Sequence, residues 1–219
     1  MSHFARGGVH TIGLVLWFMA LPYIGLADTT AISFLGPICI MIGAAWVFGE
    51  KMRRDRWIAS LFGLIGVVIV VAPKLGGSAG FYTLVMLASV PVFATSFLMT
   101  KALTRYENAA VIVVWQSITI SLFSLPLALL AWSWPTATQW LLFVLCGLLG
   151  AAAHYCLTRS FDAADISATQ SVKFLDLVWA SAMGWLVFGD LPSQTTLIGG
   201  VVICGSTLWI ARREARRPG

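Results

Sequence analysis

Charge is what this sequence has least of. Asp, Glu, Lys and Arg make up 11% of its 219 residues, against roughly a quarter in an ordinary soluble domain, and the mean hydropathy is +0.88. A chain this poor in charge cannot dress a water-facing surface, which excludes a soluble globular domain. Cysteine is scarce as well. Cys39, Cys146, Cys156 and Cys204 all lie in apolar stretches without CxxC spacing, which argues against a disulfide framework and against a zinc site. No Walker sequence, glycine-rich nucleotide fingerprint, paired-histidine metal motif or GxSxG elbow occurs. ATP hydrolysis by this chain alone and hydrolytic catalysis therefore have no support, and neither an enzyme nor a cofactor is expected. A cleavable signal peptide is not evident either, because the first apolar run leads through "ADTT" into another one instead of into a small-residue cleavage site.

What fills the chain is apolar sequence, 59% of all residues. It falls into about eight stretches of roughly 20 residues, each long enough to cross a hydrocarbon core of about 30 Å as a helix. The expected spans are 9–26, 30–48, 57–73, 80–100, 109–131, 138–158, 166–187 and 194–211. The fold class is thus an all-α, polytopic transmembrane helix bundle whose first partner is the lipid bilayer. Basic residues set its orientation, since Lys and Arg accumulate in cytoplasmic segments. With both termini inside, twelve of the fourteen fall there: Arg6, Lys51, Arg53, Arg54, Arg56, Lys101, Arg105, Arg159, Arg212, Arg213, Arg216 and Arg217. Lys74 is left in an outer loop and Lys173 within a span. The net charge of +5 is accounted for by membrane topology, and no nucleic-acid partner is implied.

The chain also nearly repeats itself. Residues 34–50 read "FLGPICIMIGAAWVFGE" and residues 174–190 read "FLDLVWASAMGWLVFGD". The first copy ends the second expected span and the other ends the seventh. The number of crossings between them is odd, so the copies run in opposite directions. The helices that follow match too, "SLFGLIGVVIVV" with "TLIGGVVICGSTLWI", as do the lead-in segments "LADTTAI" and "AADISAT". An inverted-topology repeat is the architecture by which many secondary transporters build a site between two halves. The alternative is chance likeness between apolar helices, which the charged ending at equal distance makes less ordinary.

Three stretches, "LWFMALPYIGLADTTAISFLGPI" (16–38), "WVFGEKMRRDRWIASLFGLIGVVIVV" (46–71) and "FLDLVWASAMGWLVFGDLPS" (174–193), carry a likeness that extends over essentially the whole chain. It resembles the drug/metabolite transporter superfamily, specifically the EamA-type branch. The resemblance implies a bundle of two inverted repeats of five helices that moves small organic metabolites, such as amino acids or their derivatives, by alternating access, outward and driven by a gradient. Family members resemble ten-helix proteins. The segment "SHFARGGVH" at residues 2–10 resembles the loop between the family's second and third helices, so the first repeat is expected to be incomplete: 1–74 as three helices, with 75–219 as a second repeat of five. A truncated, non-transporting membrane partner or scaffold is the rival reading.

Chemistry within the spans is sparse. Lys173 and Asp176 are three residues apart and share a helical face, with Gln170 one turn earlier. An ionisable group at the centre of a span costs about 2.5–3.5 kcal/mol on insertion scales and normally faces a partner or a wet cavity. The functional reading lines the cavity with this stripe, Asp176 exchanging a proton or binding a cation and Lys173 contacting an anionic substrate group; the other reading is an ion pair that only ties helices together. Under the resemblance, Asp176 falls where related sequences carry "EP", although Leu177 stands in place of the proline. His154 offers proton relay or an interhelical hydrogen bond. Gln116, beside Trp115, offers hydrogen bonds to substrate or to a neighbouring helix. Pro37 and Pro91 lie inside spans and free carbonyls there, as gating hinges or as plain kinks. Trp115 and Trp179 are deep enough to wall an apolar substrate cavity, though simple lipid contact is the default for each. Metal ligation is not expected. Small-residue faces occur on every helix, so a homodimer stays open.

Overall fold

The computed structural model describes residues 1–24, 26–50, 54–74, 80–130, 132–169, 175–189 and 193–215. The order of helices is α1 (Ser2–Ala20), α2 (Leu26–Ser33), α3 (Leu35–Phe48), α4 (Arg54–Val71), α5 (Gly80–Leu103), α6 (Ala109–Leu130), α7 (Ala137–Ala163), α8 (Ile166–Thr169), α9 (Leu175–Met183) and α10 (Gln194–Ala215). No strand occurs among the described residues. Five stretches among them are long and apolar enough to cross a membrane: Ser2–Tyr23, Asp28–Phe48, Gly80–Leu103, Ala109–Leu130 and Ala137–Ala163. The remaining expected spans are occupied by α4, by α8 with α9, and by α10. A helix satisfies its own backbone groups, which is why apolar sequence of this length adopts it in lipid.

The bundle has two chemically distinct ends. At one, the first turns of α1 meet the last turn of α5, whose Lys101 Nζ donates to the carbonyl oxygens of Phe161 and Ala164 at 2.5 and 2.8 Å. A cation closing the unpaired carbonyls of a helix C-terminus is favourable. Arg105 covers the Phe48 ring at 5.2 Å from its centroid. At the other end the Tyr23 and Tyr82 rings stack at 3.7 Å, and α7 begins in a capping box. There Thr136 N donates to Gln139 Oε1 at 2.8 Å, and Gln139 N to Thr136 Oγ1 at 3.3 Å. Thr196 Oγ1 of α10 donates to Asp28 Oδ1 at 2.5 Å and ties α2 to α10 at that same end.

The repeated segments owe their likeness to a shared way of stopping a helix. Gly49 and Gly189 have φ of 68° and 70°, and no other described residue has positive φ. Each is the left-handed residue that ends its helix: the N–H of Gly49 reaches Ala44 O, and that of Gly189 reaches Gly184 O and Trp185 O after a π-helical turn over Gly184–Phe188. The two "VFG" endings lie at opposite ends of the bundle, the first beside Arg105 and the second just before α10. Packing is correspondingly reciprocal, α4 against α10, α2 against α9 and α3 against α8. A side chain at either glycine meets nothing within 4 Å, so the cost of alanine is conformational alone. Gly49→Ala and Gly189→Ala should each destabilise by about 1–2 kcal/mol, with asparagine costing less, as read by thermal unfolding in detergent.

The first span departs from expectation. Residues 2–10, expected as a loop, are helical in α1 despite two glycines that each cost about 1 kcal/mol relative to alanine. Close approach offsets that cost: a Cβ on Gly7 would lie 2.0 Å from Thr119 Oγ1 of α6. Small residues let membrane helices come this near. The break between α2 and α3 has a local cause as well. Pro37 sits in the first turn of α3 and lacks the N–H that would bond the carbonyl of Ser33, where α2 ends. Elsewhere the bundle presents apolar side chains outward, most completely along α7, as a lipid-facing surface requires.

Candidate functional site

A polar network lies buried where α1, α5, α6 and α7 meet. Arg6, 1% exposed, donates from one Nη to Gln116 Oε1 at 2.8 Å and to Thr100 Oγ1 at 3.0 Å, and from the other to the carbonyl oxygen of Ile112 at 2.9 Å. Thr100 Oγ1 passes its own proton to Ser96 O at 3.0 Å. Because a guanidinium can only donate, the side chain of Gln116 must present its oxygen to Arg6 and its Nε2 to the opposite side. There Nε2 lies 3.4 Å from His10 Nε2 and 3.3 Å from each of the two ring nitrogens of His154. The Nε2 of His10 is therefore an acceptor. His10 is left with its proton on Nδ1, which reaches Ser96 Oγ at 3.0 Å. One amide thus meets two imidazoles on different helices.

His154 stands between two cavities, and His10 lines one of them. One, of about 280 Å³, lies between α1, α3, α5 and α7 and is walled by Trp17, Pro37, Phe93 and Phe97 together with His10 and His154. The other, of about 560 Å³, is lined by Phe97, His154, Cys156, Ser160, Thr169 and Asp176. His154 and Phe97 are common to both. The rings form a partial aromatic box: His10 lies 5.2 Å from Phe93, 6.2 Å from Phe97 and 5.5 Å from His154, centroid to centroid. Apolar walls with a few convergent polar groups are the usual composition of a small-molecule site.

Of the residues singled out in the sequence, His154, Gln116, Pro37 and Asp176 come together here, Asp176 from α9. Gln170 and Lys173 lie outside the described residues. Trp115 is set apart, stacked on His3 at 5.5 Å and next to Phe4. Trp179 is 64% exposed on the outer surface of α9. Pro91 faces outward on α5, and the hydroxyl of Thr95 donates to its carbonyl at 2.9 Å. Arg6 and His10, which carry the network, were not among the expected site residues. Their spacing of four, at the start of an apolar run, is the signal that placed them on one helical face; the glycines between them disguised it. Among the described residues no group of three or more His, Cys, Asp or Glu side chains is placed to hold a metal ion.

Comparison with known proteins agrees with this picture. The chain is 32% identical over 216 residues to a riboflavin transporter of Rhizobium johnstonii, covering 98% of this chain and 71% of that protein. It is 25% identical over 214 residues to an S-adenosylmethionine uptake transporter of Rickettsia prowazekii, covering 98% and 72%. One solved crystal structure shares the fold with a TM-score of 0.70 at 21% identity, over 97% of this chain and 87% of that one. The model of the EamA-like transporter family matches residues 2–72 and 80–212. With apolar spans, a buried polar network between two cavities and a family match over nearly its whole length, the chain is an integral membrane protein that belongs to the EamA-like transporter family.

Proposed function

We propose that this protein is a secondary transporter of the bacterial cytoplasmic (inner) membrane that carries small organic metabolites, amino acids or their derivatives among them, by alternating access. The observation that carries the reading is the pair of cavities meeting at His154 and Phe97, set among interrupted helices that are tied at opposite ends by different polar contacts. Lys101 joins α5 to the end of α7 at one face, and Asp28 joins α2 to α10 at the other. Opening one end while the other stays closed is what alternating access needs.

The division into an incomplete first repeat (1–74) and a second repeat (75–219) is supported by the two segments matched by the family model and by the paired glycine stops at Gly49 and Gly189. The basic cluster at the end holding Arg6, Lys101 and Arg105 favours that end, and with it both termini, on the cytoplasmic side. Asp176 and His154 share the larger cavity and are the groups we assign to proton coupling.

The test is flux in liposomes along an imposed proton gradient. Asp176→Asn should abolish gradient-driven flux while the protein remains inserted and helical. Gradient-driven flux equal to wild type would remove Asp176 from the mechanism.

A further inference from the structure

Among the described residues the guanidinium of Arg6 has no counter-charge. Its three hydrogen bonds go to an amide oxygen, a hydroxyl and a backbone carbonyl, all neutral, and its Nε is buried without a hydrogen-bond partner. Among the described residues the only ion pair is that of His3 with Glu107, at 4.0 Å. A charge held in a span without an opposite partner is costly, and it persists where something else draws on it.

The stripe that Arg6 begins leads into the smaller cavity. Arg6, His10, Leu14 and Trp17 follow one another at helical spacing along α1, and the last three line that cavity. Arg6 therefore sits one turn beyond its polar end, joined to it by Gln116. The described lining contains no charged side chain, and its walls are aromatic.

We propose that the smaller cavity selects an aromatic or other planar organic anion, a carboxylate-bearing ring, with the anionic group at the His10–Gln116 end, where Arg6 neutralises it, and the ring between Trp17, Phe93 and Phe97. This rests on the transporter reading and names the substrate class of the same site. Gln116 is the element that selects: as a neutral amide it leaves the charge of Arg6 available, which a carboxylate in its place would cancel.

The experiment is equilibrium binding of radiolabelled phenylacetate and of its neutral isostere phenylacetamide to the full chain in detergent. The charge of Arg6 acts on the anion through space in a poorly screened site, so the wild type should bind phenylacetate more tightly than phenylacetamide, by roughly 10-fold or more. Arg6→Gln should erase that preference, and Arg6→Lys should keep part of it. Since Arg6 also joins three helices, Gln116→Glu is the second variant: it supplies Arg6 with a charge-assisted partner, preserves folding, and should erase the preference just as fully. Equal binding of the two probes by wild type, failure of phenylacetate to bind, or a preference that survives Gln116→Glu overturns the proposal. Binding is read without flux. A preference without transport would contradict the transporter reading alone, and transport without a preference would contradict this inference alone.

Discussion

Gly7→Ala should be the most damaging methyl group that can be added to this protein. The new Cβ would lie 2.0 Å from Thr119 Oγ1 and 2.3 Å from Thr119 Cβ, and Thr119 is fully buried. A Cβ is fixed to its backbone, so rotating the hydroxyl away cannot relieve the clash; α1 must move from α6. Overpacking of this kind costs about 1–3 kcal/mol. It should also pull Arg6, the adjacent residue, off Gln116 and the Ile112 carbonyl. Thermal unfolding of Gly7→Ala against wild type checks the size of the effect. The double variant Gly7→Ala, Thr119→Gly should recover a good part of the loss, since neighbours in contact are not additive. Full additivity of the two changes would show that the close approach of α1 to α6 is not what Gly7 provides.

Gln116→Leu should act on function more than on fold. Leucine is near glutamine in size, but it removes the acceptor of Arg6 and the donor shared by His10 and His154. Leaving a buried charge one acceptor short costs about 1.5–3 kcal/mol. His10 also loses the group that fixes which of its nitrogens carries a proton, and His154 loses its amide neighbour. We expect the variant to insert and fold with reduced stability and to lose transport by tenfold or more. Thr100→Val makes the informative control, because it removes another acceptor of Arg6 without touching either histidine. Its stability loss should resemble that of Gln116→Leu, while its transport should fall less.

These effects centre on residues that composition conceals. Helix number and position were legible because membrane spans announce themselves by apolar length, and the likeness of residues 34–50 and 174–190 was legible because glycine stops a helix the same way at both ends of the bundle. The N-terminal end of α1 was not. Arg6 falls outside the span that hydropathy marks at 9–26, and both Arg6 and His10 fall in the segment expected as a loop from the family resemblance; what keeps them in a helix comes from partners 86 to 110 positions away in the chain. Rotational setting was equally hidden. Helices such as α3 and α7 are apolar nearly all round, so periodicity cannot say which side meets the cavity and which the lipid. Gln116 and His154 meet inside the bundle, as polarity in a span requires; Trp179 and Pro91, which carry no such requirement, face outward.

The most direct test is uptake by the purified full chain reconstituted in liposomes, with riboflavin, S-adenosylmethionine, phenylacetate and a panel of radiolabelled amino acids offered along an imposed gradient. The account predicts saturable, protein-dependent uptake of at least one of these solutes, reduced in Gln116→Leu. Uptake of every solute at the level of protein-free liposomes, by protein that is helical and monodisperse, would contradict it.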